Sequence, residues 1–403
     1  MKWPMVKLGE VCHTVTKGTT PTSLGYEFSS EGIPFLRIQN ISNNTVSLDD
    51  VLYIDEETNE ALKRSKIIPG DLLITIAGTI GKTAIVPDDF PESNCNQALA
   101  IIRFDSKILW PKYLLYWLGT TSALNQITGM KVTATISNLS LGQIKELVLA
   151  LPPLEEQKRI AAILDKADAI RRKRQQAIKL ADDFLRAVFL DMFGDPVTNP
   201  KGWEVKPLSY GIDSITSGWS AKGEGYPCKE GELGVLKISA VTSGRFNSQE
   251  NKFVHGDDIP NGKRLVFPKK GDLLFSRANT RELVAATCIV QDDCENAFLP
   301  DKLWNIKTDS SVLLPEFLNC LIWEPKFKET LTSQATGTSG SMLNISKGKF
   351  EATDAIFPSI SIQYRFRAVY WKMQKTIISL NHFLDESEYS FSSLSQRAFS
   401  GHL

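Results

Sequence analysis

The chain has no C-x-x-C pair. Its six cysteines (Cys12, Cys95, Cys228, Cys288, Cys294, Cys320) and four histidines are scattered, so metal-ligand spacing is absent and no metal site is expected. Reduced, packed thiols are the simpler expectation. No stretch approaches twenty unbroken apolar residues, and the opening MKWPMVKLGEVC lacks the apolar core of a signal peptide. This points away from a membrane and towards a soluble, cytoplasmic protein. There is no excess of charge of either sign: 46 basic side chains balance 46 acidic ones, so any site for a polyanion must be local. With 403 residues and 42% hydrophobic content, the chain can build two or three domains with cores of their own, which excludes general disorder.

Catalytic signatures are also missing. The chain holds no His-Glu-x-x-His, no G-x-S-x-G and no G-x-G-x-x-G after a strand. The stretch AGTIGKT, Ala77 to Thr83, looks like the tail of a phosphate-binding loop, but the required first glycine is replaced by Ile76. The segment after it, AIVPDDFP, is β-like and broken by two prolines, so it cannot supply the helix that cradles phosphate. A strand-loop-strand turn is expected instead. The nearest approach to an adenine methyltransferase motif is Asn199-Pro200-Lys201, in a linker. The acidic pairs Asp88-Asp89 and Asp292-Asp293 suit charged turns better than a nuclease metal site.

What is present is a repeat. WPMVKLGE at Trp3 is echoed by WEVKPLSY at Trp203, PFLRIQNI at Pro34 by GVLKISAV at Gly234, and PGDLLIT at Pro69 by KGDLLFS at Lys270. AIVPDDF at Ala84 returns as CIVQDDC at Cys288, and WPKYLLYWL at Trp110 as LPEFLNCLI at Leu314. ISNLSLGQIKELVLALPPLEEQ at Ile136 answers LNISKGKFEATDAIFPSISIQ at Leu343, aligning Asn138 with Asn344, Pro152 with Pro358 and Gln157 with Gln363. The offset drifts only from 200 to 206, so a unit of about two hundred residues is duplicated.

Each unit opens with short β-branched runs and a few helical segments between loops rich in Gly, Pro and Asn, which suits a compact α+β domain. Each ends differently. Leu154 to Met192 contains neither Gly nor Pro, and carries Ile160, Leu164, Ala167, Arg171, Arg174, Ile178, Ala181, Leu185, Val188 and Met192 at alternating steps of four and three. This is a heptad seam, ended by Gly194 and Pro196. The second unit repeats it with Ile362, Phe366, Val369, Met373, Thr376, Leu380, Phe383 and later Leu394. Two single-stripe helices are best buried against each other. At about 1.5 Å per residue the first is roughly 58 Å long, enough for a spacer between two domains. The run RRKR, Arg171 to Arg174, puts two arginines on the seam, where dry packing is costly; the seam opens there, or these side chains meet a partner protein, phosphates or solvent.

The loops carry side chains that read bases: Arg and Lys suit guanine, Asn and Gln adenine, and hydroxyls bases or phosphates. The first domain offers Lys17, Thr19 and Thr20; Arg37, Gln39 and Asn40; Thr79 and Lys82; Asn96 and Gln97; and Lys131. The second offers Ser217, Lys237, Arg277, Asn279, Arg281, Lys302 and Thr338 in equivalent places. Similar scaffolds with different tips would read different sequences. Two such domains about one DNA turn apart, roughly 34 Å, would read a bipartite, asymmetric site with an unread gap.

The duplicated layout, the block PGDLLIT..GTIGKTAIV...NQAL and LPPLEEQKRIAAILDKAD opening the central helix resemble the specificity subunit of type I restriction-modification systems. The resemblance covers essentially the whole chain. It is strong in the first unit and weaker in the second, where FPSISIQYRF keeps only Pro358 and Gln363 of the LPPLEEQ pattern and SRANTREL replaces the glycine loop. It implies an α+β fold with two target-recognition domains separated by a pair of long antiparallel coiled-coil helices, in a pseudo-two-fold repeat. The expected boundaries are 1–152 and 195–358 for the two domains, and 153–194 and 359–403 for the helices. It further implies a subunit with no catalysis or cofactor of its own, which binds double-stranded DNA and docks two copies of the modification subunit and the restriction subunit. S-adenosylmethionine, ATP and Mg are then expected on those partners. A related modification or phage-defence complex without its own nuclease is the alternative setting.

Overall fold

The short β-branched runs form strands, and the same pairing occurs twice. The computed structural model describes residues 3–129, 138–337 and 342–403. The chain divides into two units: Met1–Gln175 with His382–Leu403, and Gln176–Asn381.

In the first unit an antiparallel four-stranded sheet runs in the order Cys12–Lys17, Leu99–Phe104, Leu72–Thr75, Thr83–Ile85. A second sheet sets Ile33–Leu36 between antiparallel Leu52–Ile54 and parallel Asn94–Cys95. A ribbon joins Met5–Lys7 to Val148–Ala150. The second unit repeats all three. Its four-stranded sheet is Ile212–Ser217, Leu303–Thr308, Leu273–Ser276, Thr287–Ile289, and its three-stranded sheet sets Leu233–Leu236 between Asn251–Val254 and parallel Ala297–Phe298. Glu204–Pro207 pairs with Asp354–Phe357. Even the irregularity recurs, because the pairing slips past His13 in one sheet and past Asp213 in the other.

The PGD and KGD turns explain themselves. Gly70 and Gly271 have φ of 82° and 85°, a left-handed conformation that glycine adopts at little cost. The following aspartates cap the turn, Asp71 accepting from the Ile68 amide at 2.9 Å and Asp272 from the Lys269 amide at 3.0 Å. Asp71 is buried and held by a two-bond Arg103 fork at 2.7 and 2.9 Å. Burial still pushes its carboxyl above the usual range, more than Arg103 pulls it down.

Both long helices are present, Leu154–Phe193 and Ile360–Phe399. In the first unit they run antiparallel: Arg159 donates to the Leu403 carbonyl, and Arg171 lies over the Phe391 ring at 5.1 Å. Tyr113 and Tyr116 of the helix Pro111–Leu118 close the same core against Phe399 and Phe391. In the second unit Phe189 and Phe193 pack edge-on against Phe366, with Phe317 completing the cluster. Ile160, Leu164, Ile178, Leu185 and Phe366 are buried in the seam, and Val188, Ile362, Met373 and Leu380 are partly buried. Three expected positions, Val369, Thr376 and Phe383, shift by one residue, the first to buried Tyr370. The C-terminal seam runs through fully buried Ile377 and partly buried Leu384, while Thr376 and Phe383 are exposed. The physical reason is a heptad frame set by Phe366, Tyr370 and Met373, from which 377, 380 and 384 follow at steps of four and three.

The seam arginines make contacts within the chain, although the buried Arg171 Nε has no hydrogen-bond partner. Arg171 and Arg172 share the two oxygens of buried Asp168 at 2.6 and 2.7 Å. Arg174 stacks on the Phe383 ring at 5.6 Å and donates to the Phe383 carbonyl. At the helix end Gly194 takes φ 77°, as its expected stop role requires. The Asn199 carboxamide is spent on both the amide and the carbonyl of Trp203, so it holds the linker.

Candidate nucleic-acid interface

The first unit gathers its candidate loops at one place. Gly18 lies so close to the backbone of Cys95 and Asn96 that a Cβ would come within 2.0 Å of the Cys95 carbonyl oxygen. That approach lets Thr19 donate its amide to Cys95 (3.1 Å) and brings the Thr20 hydroxyl onto the Gln97 side-chain carbonyl. The Asn96 amide in turn donates to Leu36 at 3.1 Å, next to Arg37. Strand Cys12–Lys17 thus delivers Lys17, Thr19 and Thr20 beside Asn96, Gln97 and Arg37.

AGTIGKT joins them as the expected strand-loop-strand turn. The Thr75 hydroxyl donates to the Thr79 carbonyl (2.5 Å) and accepts from the Lys82 amide (2.9 Å), while Gly78 and Gly81 take φ of 63° and 93°. Ile76 donates its amide to Ala98, one residue past Gln97, and a Cβ on Gly78 would touch Ile38. Lys17, Gln39, Thr79, Lys82 and Gln97 are exposed. Asn40 is fully buried: its carboxamide accepts from the Arg37 amide (2.9 Å) and donates to the Asp49 carbonyl (3.0 Å). It shapes the loop from inside. Lys131 lies outside the described residues.

The second unit has the same frame and different tips. A Cβ on Gly218 would come within 1.8 Å of the Leu299 carbonyl oxygen, and the next residue, Trp219, donates its amide to Leu299 (2.9 Å). Trp219 is stacked with Phe298, with Lys263 over its ring at 5.4 Å. The Ser220 hydroxyl meets the Asp301 carboxylate. Arg277 is a clamp: it donates to the Asp301 carbonyl (2.8 Å), the Asp301 carboxylate (3.1 Å) and the Asn344 side chain (3.4 Å). Ser217 and Arg281 are exposed, Lys237, Asn279 and Lys302 partly so. Asn279 turns its oxygen onto the Thr280 amide (2.9 Å). Thr338 lies outside the described residues.

Carboxylates beside the basic tips were missed from the sequence. Asp50 receives Arg37 (3.4 Å) and Gln39 (2.6 Å). Glu250, two hundred positions on, receives Lys237 (3.6 Å) and Ser239 (2.6 Å). The Ser239 hydroxyl first, then the Lys237 charge, hold the Glu250 carboxyl below its usual range. An acid at the repeat offset was the available signal.

Nothing among the described residues groups three or more His, Cys, Asp or Glu side chains where they could hold a metal ion. Asp293 accepts from the Lys270 amide and from Lys269, which draw its carboxyl down, and Asp292 faces Lys270. The cysteines are free, and burial pushes the Cys12 and Cys95 thiols up to about 12. No described helix is long and apolar enough to cross a membrane.

Residues 1–180 match the family described as the type I restriction modification DNA specificity domain. The type I restriction enzyme EcoKI specificity subunit of Escherichia coli is 23% identical over 330 residues, 76% of this chain and 68% of that protein. A putative type I restriction enzyme MjaX specificity subunit of Methanocaldococcus jannaschii is 26% identical over 284 residues, 64% of this chain and 65% of that protein. The crystal structure of a type I restriction-modification S subunit from M. genitalium has the same fold, with a TM-score of 0.54 at 14% identity, over 99% of this chain and 96% of that one.

Proposed function

We propose that this chain, similar to type I restriction-modification specificity subunits and matching their DNA specificity domain over residues 1–180, reads a bipartite, asymmetric, gapped DNA site. Residues 1–152 and 195–358 are the two target-recognition domains, and 153–194 and 359–403 are the helices that link them. The observation that carries this reading is one scaffold used twice with different tips. Gly18 and Gly218 hold equivalent loops against equivalent backbones, yet the side chains offered are Thr19 and Thr20 in one and Trp219 and Ser220 in the other. A rigid frame with exchangeable tips separates positioning from base reading.

The chain supplies recognition and its partners supply chemistry. Two copies of an adenine modification subunit and a restriction subunit dock on it, bringing S-adenosylmethionine, ATP and Mg, in the cytoplasm where the DNA is.

The test is single-molecule sequencing of modified bases in DNA from cells expressing this chain with its neighbouring methyltransferase. Methylated adenines on both strands of one gapped motif, lost when the chain is omitted, are the expected result. An intact, bound methyltransferase with no chain-dependent mark would overturn the proposal.

A further inference from the structure

At two places separated by 200 positions, a cation, a neutral polar side chain and a carboxylate are wired in the same way. Arg37 and Gln39 converge on Asp50; Lys237 and Ser239 converge on Glu250. Both clusters follow the central strand of a three-stranded sheet, Ile33–Leu36 or Leu233–Leu236. In each the acid's backbone carbonyl is also engaged by the cationic residue, by the Arg37 guanidinium at Asp50 (2.6 Å) and by the Lys237 amide at Glu250 (2.8 Å).

Stability does not explain the recurrence. The Asp50 side chain is 84% exposed, and exposed ion pairs contribute about 0–1 kcal/mol. Asp50 also sits at φ 50°, a region few non-glycine residues occupy. An anion on a DNA-facing surface opposes phosphate binding, which by itself favours the neutral or basic alternative. What a carboxylate does offer is orientation. Two flexible donors aimed at one acceptor are ordered before DNA arrives, and the charge of the cation is partly cancelled towards phosphates it meets at random.

The three residues change identity between the units while keeping their order of charge. Arginine presents a planar fork that matches guanine O6 and N7, whereas lysine is a point charge. Glutamine can bridge adenine N6 and N7; serine bonds to any base edge. A constant wiring with exchanged donors suits one positioning device serving two different base readings.

We infer that Asp50 and Glu250 are positioning residues for specificity, each holding a base-reading pair, Arg37 with Gln39 and Lys237 with Ser239, in its reading geometry. This rests on the DNA-recognition reading above.

The experiment uses the full chain in complex with its methyltransferase. Binding and methylation are measured on the gapped duplex found by modified-base sequencing and on duplexes with one half scrambled. Asp50→Asn is expected to lose roughly tenfold in discrimination at the first half only, about 1.4 kcal/mol, and Glu250→Gln the same at the second half only. Binding to scrambled duplex rises in each, and the dependence of log affinity on log salt steepens by about 0.9, one further phosphate contact. Asp50→Glu restores discrimination.

Asp49→Asn is the control. It removes the same charge from the same loop, but from a carboxylate that accepts the Ser47 hydroxyl (2.7 Å). Equal loss in Asp49→Asn and Asp50→Asn would reduce the effect to loop charge and overturn the inference. So would unchanged discrimination in Asp50→Asn and Glu250→Gln in a wild-type complex that discriminates both halves. A wild-type complex that discriminates neither half would bring down the recognition reading and this inference together.

Discussion

Gln157 and Gln363 make the same three hydrogen bonds in the two repeats. Gln157 donates to the carbonyls of Ile108 (3.0 Å) and Pro152 (2.9 Å) and accepts from the Trp110 amide (2.8 Å). Gln363 donates to Val312 (2.9 Å) and Pro358 (2.8 Å) and accepts from the Leu314 amide (2.9 Å). Each side chain is fully buried. It ties the first turn of a long helix to the loop that precedes the proline-started helix, Pro111–Leu118 or Pro315–Trp323.

Replacing either glutamine by leucine strands one amide and two carbonyls without partners. Gln157→Leu and Gln363→Leu are each expected to cost about 1–3 kcal/mol. Urea unfolding reads the loss, and hydrogen exchange locates it, with the Trp110 amide losing protection in Gln157→Leu and the Leu314 amide in Gln363→Leu. Unchanged exchange at those amides would count against the capping role.

The loop frame makes a second prediction. Gly18→Ala and Gly218→Ala place a methyl group against backbone that cannot rotate away, so the loop itself must move. A loss of about 1–3 kcal/mol is expected, together with weakened methylation that depends on one half of the site in Gly18→Ala and on the other half in Gly218→Ala. Equal effects on both halves would contradict the assignment of one loop frame to each half-site.

A third prediction concerns acid. Asp195 accepts from Lys326 (2.6 Å) and from the amides of Thr198 (3.0 Å) and Val197 (2.9 Å), which hold its carboxyl down to about 2, against about 3.9 in the unfolded chain. A depressed carboxyl stabilises the fold above its unfolded value and ceases to do so as pH falls towards its folded value. The side chain is 30% exposed, so solvent screening reduces the contribution to about 1 kcal/mol. Wild type is therefore expected to exceed Asp195→Asn in stability by about that amount near neutral pH. The gap closes between about pH 4 and pH 2, read by denaturant unfolding at each pH. A gap that stays constant through this range would rule out the linkage.

Much of this was legible in order and spacing. The ordered echoes at offsets of 200 to 206 announced a duplicated scaffold, because pairing strands and capping turns need particular residue types at particular separations: PGD and KGD for the turn, Gln157 and Gln363 for the helix junction. The gap where a phosphate loop needs its first glycine ruled that loop out, and the hairpin pinned by Thr75 took its place. Heptad spacing placed both long helices, although the frame of the second settled one residue away at Ile377 and Leu384.

Tertiary structure decided which polar side chains face outward. Asn40 and Gln39 are neighbours of similar chemistry, yet one is fully buried holding backbone and the other is exposed on Asp50. Arg277 reads like a base-contacting tip and is a clamp on Asp301 and Asn344. Arg171 and Arg174 read like a partner surface, and in the folded chain they contact Asp168, Phe391 and Phe383. The sequence by itself determined the repeat, the element types and the absence of catalytic motifs, since these depend on local spacing. Which donors remain exposed depends on partners that lie from 3 to 209 positions away, and only the folded chain brings the distant ones within bonding distance.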